Sequence, residues 1–147
     1  MPKASDITKV RFYFMQTGFS LSDRTALKGF ISRLFKKERH GLAALNYVFC
    51  SDAYLLSVNR QFLRHDYYTD IITFDLSEPG QPINAEIYIS IDRVRDNAKK
   101  YDASFKKELH RVIFHGALHL CGYSDKRDKE AQLMRKMEEK CLDLYFR

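Results

Sequence analysis

The sequence predicts an α+β fold: a small mixed β-sheet covered by helices, with a metal site at the C-terminal end of one helix. Helix-like and strand-like segments are intermixed along the chain without a strict βαβ repeat. Two strand-like segments, Ile71 to Leu76 and Ala85 to Ser90, flank the turn-forming Glu78-Pro79-Gly80, a connection short enough for an antiparallel pair. At 147 residues and 45% hydrophobic, with no internal repeat or low-complexity stretch, the chain reads as a single domain over residues 1–147.

The first element is a short aromatic strand, residues 10–14 (VRFYF). Ser20 or Ser22 is placed to cap a helix running to about Lys37, with Leu27, Phe30, Ile31, Leu34 and Phe35 on one face. Residues 45–50 (LNYVFC) form a second strand. Asp52 then caps a helix carrying Tyr54, Leu55, Val58 and Phe62. After the hairpin, Asp92 opens a helix ending near Tyr101. Ser104 opens another, whose Phe105, Leu109, Val112, Ile113, Ala117, Leu118 and Leu120 make a broad apolar face. Gly122 is suited to end it as the left-handed residue after the cap. A last helix spans about Asp128 to Leu144.

Composition narrows the function classes. A formal net charge of +6 raises the prior for a nucleic-acid partner, since basic side chains neutralise phosphates, but also suits many proteins that bind none. No apolar stretch approaches the roughly 18 residues of a membrane span, and no secretory signal is visible. The three widely spaced cysteines, Cys50, Cys121 and Cys141, contain no CxxC pair and read as reduced thiols. The expectation is a cytoplasmic protein without a membrane partner.

The informative stretch is residues 115–125, HGALHLCGYSD. Histidines at i and i+4 share one helix face, so His115 and His119 can converge on one ion. A chain that reverses at Gly122 can swing Asp125 back as a third ligand. Three protein ligands plus an open position describe a catalytic zinc site, whereas a structural site is closed by four. Two helical histidines can equally share a face by accident, as His110, His40 and His65 can be plain structural residues. The zinc-peptidase pattern HExxH puts its general base directly after the first histidine, and here that position is Gly116. Glu108, seven residues before His115, falls on roughly the same side, as a partner of the site or as a surface charge.

These residues resemble the signature of the YbeY endoribonucleases, HGxLHLxGYDH, at His115, Gly116, Leu118, His119, Leu120, Gly122 and Tyr123. Residues 59–74 (NRQFLRHDYYTDIITF) are similar to the family's LNxxYRGKDxPTDVLSF segment, and residues 85–90 (AEIYIS) to its GDIxIS strand. The third family histidine falls on Asp125. The family's functional arginine falls on Leu63, with Arg64 next to it and Arg60 three residues before, and Glu86 takes the acidic strand position. The resemblance implies one Zn2+ ion on His115, His119 and Asp125; Arg64, beside the position of the family's arginine, and Glu108, on the histidine side of the helix, are the candidate catalytic residues. It implies cleavage of single-stranded RNA in 16S rRNA 3′-end maturation and ribosome quality control. Its implied partners are 16S rRNA, the small ribosomal subunit and a ribosome-assembly GTPase. Arg60, Arg64, Lys106, Lys107 and Arg111 are candidates to hold phosphates, and Tyr67, Tyr68 and Tyr123 to stack bases. The competing readings are a metallopeptidase-like hydrolase, which shares the ligand spacing, and a non-catalytic ribosome-assembly factor whose metal only holds the fold.

Overall fold

The computed structural model describes residues 3–16 and 18–147. A short helix α1 (Ala4–Thr8) precedes strand β1 (Val10–Phe14) and helix α2 (Arg24–Lys37). Strand β2 (Leu42–Cys50) leads into α3 (Asp52–Val58), which continues as a π-helical turn over Asn59–Leu63. Strands β3 (Ile71–Asp75) and β4 (Ile83–Ser90) follow, then α4 (Ile91–Lys100), α5 (Phe105–Leu120) and α6 (Asp128–Tyr145). The four strands form one mixed sheet in the order β1-β2-β4-β3. β1, β2 and β4 run parallel, and β3 pairs antiparallel with β4, as the short connection predicted.

Alternation within the strands sets the two faces. Leu45, Tyr47 and Phe49 of β2 join Ala85, Ile87 and Ile89 of β4 in the main core, under α2 and α5. Cys50, Ile72, Leu55 and Val58 form a smaller cluster, where α3 packs on the sheet. The buried Tyr47 hydroxyl donates to the Ile113 carbonyl at 2.9 Å, tying the sheet to α5. Gly116 sits where α5 comes closest to the sheet: a Cβ there would lie 2.7 Å from Ile87 Cδ1 and 3.0 Å from Ile71 Cδ1. The missing side chain lets α5 settle directly on β3 and β4 and so decides where His115 stands.

Several predicted boundaries move, each for a local reason. α2 begins at Arg24 after Asp23, whose backbone is left-handed (φ 54), and neither Ser20 nor Ser22 caps it. Buried Leu21 anchors the chain just before that turn. Ser51, not Asp52, caps α3, its hydroxyl accepting from Tyr54 N at 3.1 Å. Asp52 instead pairs with Arg93 at 2.8 Å. β2 and β4 start earlier than predicted because Leu42 pairs with Ile83 across the sheet, a partner invisible to periodicity. No helix among the described residues is long and apolar enough to cross a membrane.

Candidate metal centre

Ser104 starts α5 as predicted, its hydroxyl accepting from Lys107 N at 3.0 Å. The helix ends in a Schellman turn. Gly122, at φ 102, donates its N–H to the His119 carbonyl at 3.0 Å, and Tyr123 N–H reaches Leu118 O at 3.1 Å. This reversal brings Asp125 back over the helix it has just left. His119 lies in the last turn, where the helix dipole favours positive charge, and His115 one turn earlier.

Both imidazoles are held through Nδ1. His115 Nδ1–H donates to Glu138 Oε2 at 2.7 Å, since an ionised carboxylate can only accept. His119 Nδ1–H donates to the Tyr123 carbonyl at 3.1 Å. In the neutral ring each Nε2 is thereby left as the unprotonated donor, the arrangement that orients a metal-binding histidine. His115 Nε2 lies 3.5 Å from Asp125 Oδ2, and His119 borders the same cleft. Burial disfavours the His115 imidazolium, but Glu138, Asp125 and Asp70 outweigh it and hold its pKa above the ordinary histidine value.

Behind His115 lies a compact charge network. Arg111 reaches Glu108 at 3.3 Å, Glu138 at 3.4 Å and Glu139 at 2.6 Å. Burial pushes the Glu108 carboxyl up and Arg111 draws it back, with a net rise. Burial also raises Asp70, against the opposing pull of His115. The cleft encloses about 1160 Å³. Its wall carries five carboxylates, Asp70, Asp102, Glu108, Asp125 and Glu138, against three basic side chains, Lys107, Arg111 and Arg135. That imbalance favours a cation within an otherwise basic protein. Two imidazoles and a carboxylate suit a borderline-soft dication such as zinc. Among the described residues no three His, Cys, Asp or Glu side chains already form a closed ligand cluster. His119 and Asp125 are both solvent-exposed, so their side chains can turn toward an ion. The donor chemistry fits.

The remaining expected residues divide. Glu108 lies in the cleft, buried at 4% exposure and committed to Arg111. Arg64 is not among the cleft-lining residues; it ends the π-helical turn with a left-handed backbone (φ 55). Arg111 is enclosed by its three carboxylates rather than offered to phosphate, and Arg60 is paired with Asp66. Lys106 lies over the Phe146 ring, while Lys107 does line the cleft. Tyr123 packs against the core with its hydroxyl donating to Glu38 at 3.2 Å, which removes it as a base-stacking surface. His110 is the structural histidine anticipated, 2% exposed with Nδ1 donating to Lys106 O at 2.7 Å.

Glu138 was missed by the sequence reading, although a signal existed. Met134, Glu138, Cys141 and Leu142 share the buried face of α6, so Glu138 is a carboxylate on an apolar stripe, and such a group needs a partner. Asp70 was missed because β3 alone does not show what its leading loop faces.

The sequence family described as Endoribonuclease YbeY matches residues 17–145. A Cytophaga hutchinsonii protein named endoribonuclease YbeY is 51% identical over 134 residues, which is 90% of this chain and 94% of that protein. A Flavobacterium johnsoniae protein of the same name is 42% identical over 130 residues, covering 88% and 93%. The solution structure of a Thermotoga maritima protein matches with a TM-score of 0.61 and 26% identity, over 93% of this chain and 89% of that one.

Proposed function

Because the chain belongs to the endoribonuclease YbeY family, we propose that it is a zinc-dependent endoribonuclease specific for single strands. Its setting is 16S rRNA 3′-end maturation and ribosome quality control in the cytoplasm, with the small ribosomal subunit and an assembly GTPase as partners. The observation that carries the metal chemistry is the pairing of His115 Nε2 with Asp125 at 3.5 Å while Glu138 fixes Nδ1. His115, His119 and Asp125 would hold one zinc ion, which when bound acidifies water and polarises a phosphoryl oxygen.

The chain's own residues do the rest. Glu138 orients His115, and Arg111 holds Glu138 and Glu108 in place. Lys107 and Arg135, on the cleft wall, attract the RNA phosphates that the cleft's carboxylates would otherwise repel. Arg64 meets the RNA backbone outside the cleft.

The test runs labelled single-stranded RNA, duplex RNA and casein side by side, with protein stripped by chelator and then reloaded with zinc. Cleavage of single-stranded RNA alone, lost on stripping and restored by zinc, is expected. Binding should also weaken steeply with salt as phosphate contacts are screened. Casein cleavage without RNA cleavage would overturn the reading in favour of a peptidase. Cleavage of neither, with melting temperature dependent on zinc, would support a structural metal in an assembly factor.

A further inference from the structure

The loop after α3 carries residues the metal chemistry does not use. Asn59, 1% exposed, donates from Nδ2 to the Tyr67 carbonyl at 2.9 Å, and its own carbonyl accepts from His65 N at 3.1 Å. A buried amide satisfied by the loop it anchors gives that loop a defined shape. On this frame Phe62, Tyr67 and Tyr68 stand 62%, 56% and 55% exposed, an aromatic surface without an obvious role in the core. Two of them are engaged locally. Phe62 meets Phe74 edge-on at 6.0 Å, and the Arg93 guanidinium lies 5.2 Å from the Tyr68 ring.

Tyr67 differs in position. Its ring stacks on His65, with centroids 5.2 Å apart and planes at 21°, and its hydroxyl meets His65 Nδ1 at 3.0 Å. It also lines the same cleft as His115, His119 and Asp125. One side of the ring is therefore braced, and more than half of the residue remains open beside the candidate metal centre. Arg64 stands in the same loop and forms no ion pair among the described residues, unlike Arg60.

We propose that Tyr67, braced by His65, is the platform on which an unpaired nucleobase of the RNA stacks at the mouth of the cleft, with Arg64 taking a neighbouring phosphate. This deepens the endoribonuclease reading and rests on it. Every base has a π-face, so the platform tolerates sequence but requires a base that is free of a duplex stack. It selects single strands by what it can touch.

Equilibrium binding to zinc-loaded protein tests this with two short probes of equal charge, an oligoadenylate and the corresponding abasic ribose-phosphate chain. The wild-type protein should prefer the base-bearing probe by about tenfold, the scale of one stacked base. Tyr67→Ala should abolish that preference while leaving abasic-probe affinity, zinc content and melting temperature unchanged. Tyr67→Phe, which keeps the ring and loses the hydroxyl, should retain most of the preference. Equal binding of both probes by the wild type, or a preference that survives Tyr67→Ala, overturns the platform and leaves the nuclease reading standing. Failure of the wild type to bind either probe overturns both.

Discussion

Replacing Glu138 by glutamine keeps the side chain's volume but removes its charge and turns one of two acceptor oxygens into an NH2 donor, so it can no longer accept from both His115 and Arg111. The group is 6% exposed and accepts the His115 Nδ1–H at 2.7 Å, so water cannot substitute for it. A hydrogen bond to a charged partner contributes about 1.5–3 kcal/mol, and loss of a partner that orients a metal-binding histidine weakens metal affinity by about 10- to 100-fold. The two scales agree, since tenfold is about 1.4 kcal/mol. Arg111 keeps Glu108 and Glu139, so the fold should survive. Zinc competition against a chromophoric chelator should show a loss of roughly tenfold or more for Glu138→Gln. Glu139→Gln is the control: its side chain is 42% exposed and its pair with Arg111 is partly screened, so zinc affinity should hold. Wild-type affinity in a folded Glu138→Gln protein would refute the argument that this carboxylate sets the His115 donor.

His115→Ala and His119→Ala should each leave the purified protein without stoichiometric zinc by elemental analysis, because two remaining ligands hold an ion poorly. Asp125→Ala should weaken zinc binding in the same titration whereas Asp128→Ala should not, and Asp125→His should keep the metal and move the acidic limb of the pH–rate profile downward. Gly116→Ala should lower stability by about 1–2 kcal/mol, overpacking against Ile87 and Ile71 outweighing the gain in helix propensity. Thermal melting checks it, and an unchanged melting temperature would mean that the Ile87 and Ile71 δ-methyl groups turn aside at no cost. Burial pushes the Cys50 and Cys121 thiols up to about 12 and Cys141 to about 11, so iodoacetamide at neutral pH should label none in the native protein and all three after unfolding. Mass spectrometry reads the outcome.

The elements that periodicity and capping control were legible from residue order alone. Strand β1, the Ser104 start of α5, the glycine stop at Gly122 and the antiparallel β3–β4 pair all follow from neighbours close in the chain. The i, i+4 histidines and the returning Asp125 belong to the same class, because a helix repeat and one turn bring them together. The parallel pairing of β1, β2 and β4 does not, since nothing local says which strands lie side by side. Glu138 reaches His115 across 23 positions, and α6 must first pack on α5 before its buried carboxylate has a partner. Arg111 shows the same limit from the other side: its charge made it a phosphate candidate, and beside Glu108 of its own helix two carboxylates of α6, Glu138 and Glu139, brought by the tertiary fold, claimed it. Residue order determines helix faces, turns and the local ligand spacing through short-range sterics and hydrogen bonding. Which charges stay free for a substrate is decided by burial and long-range pairing, and those exist only once the helices have closed on the sheet.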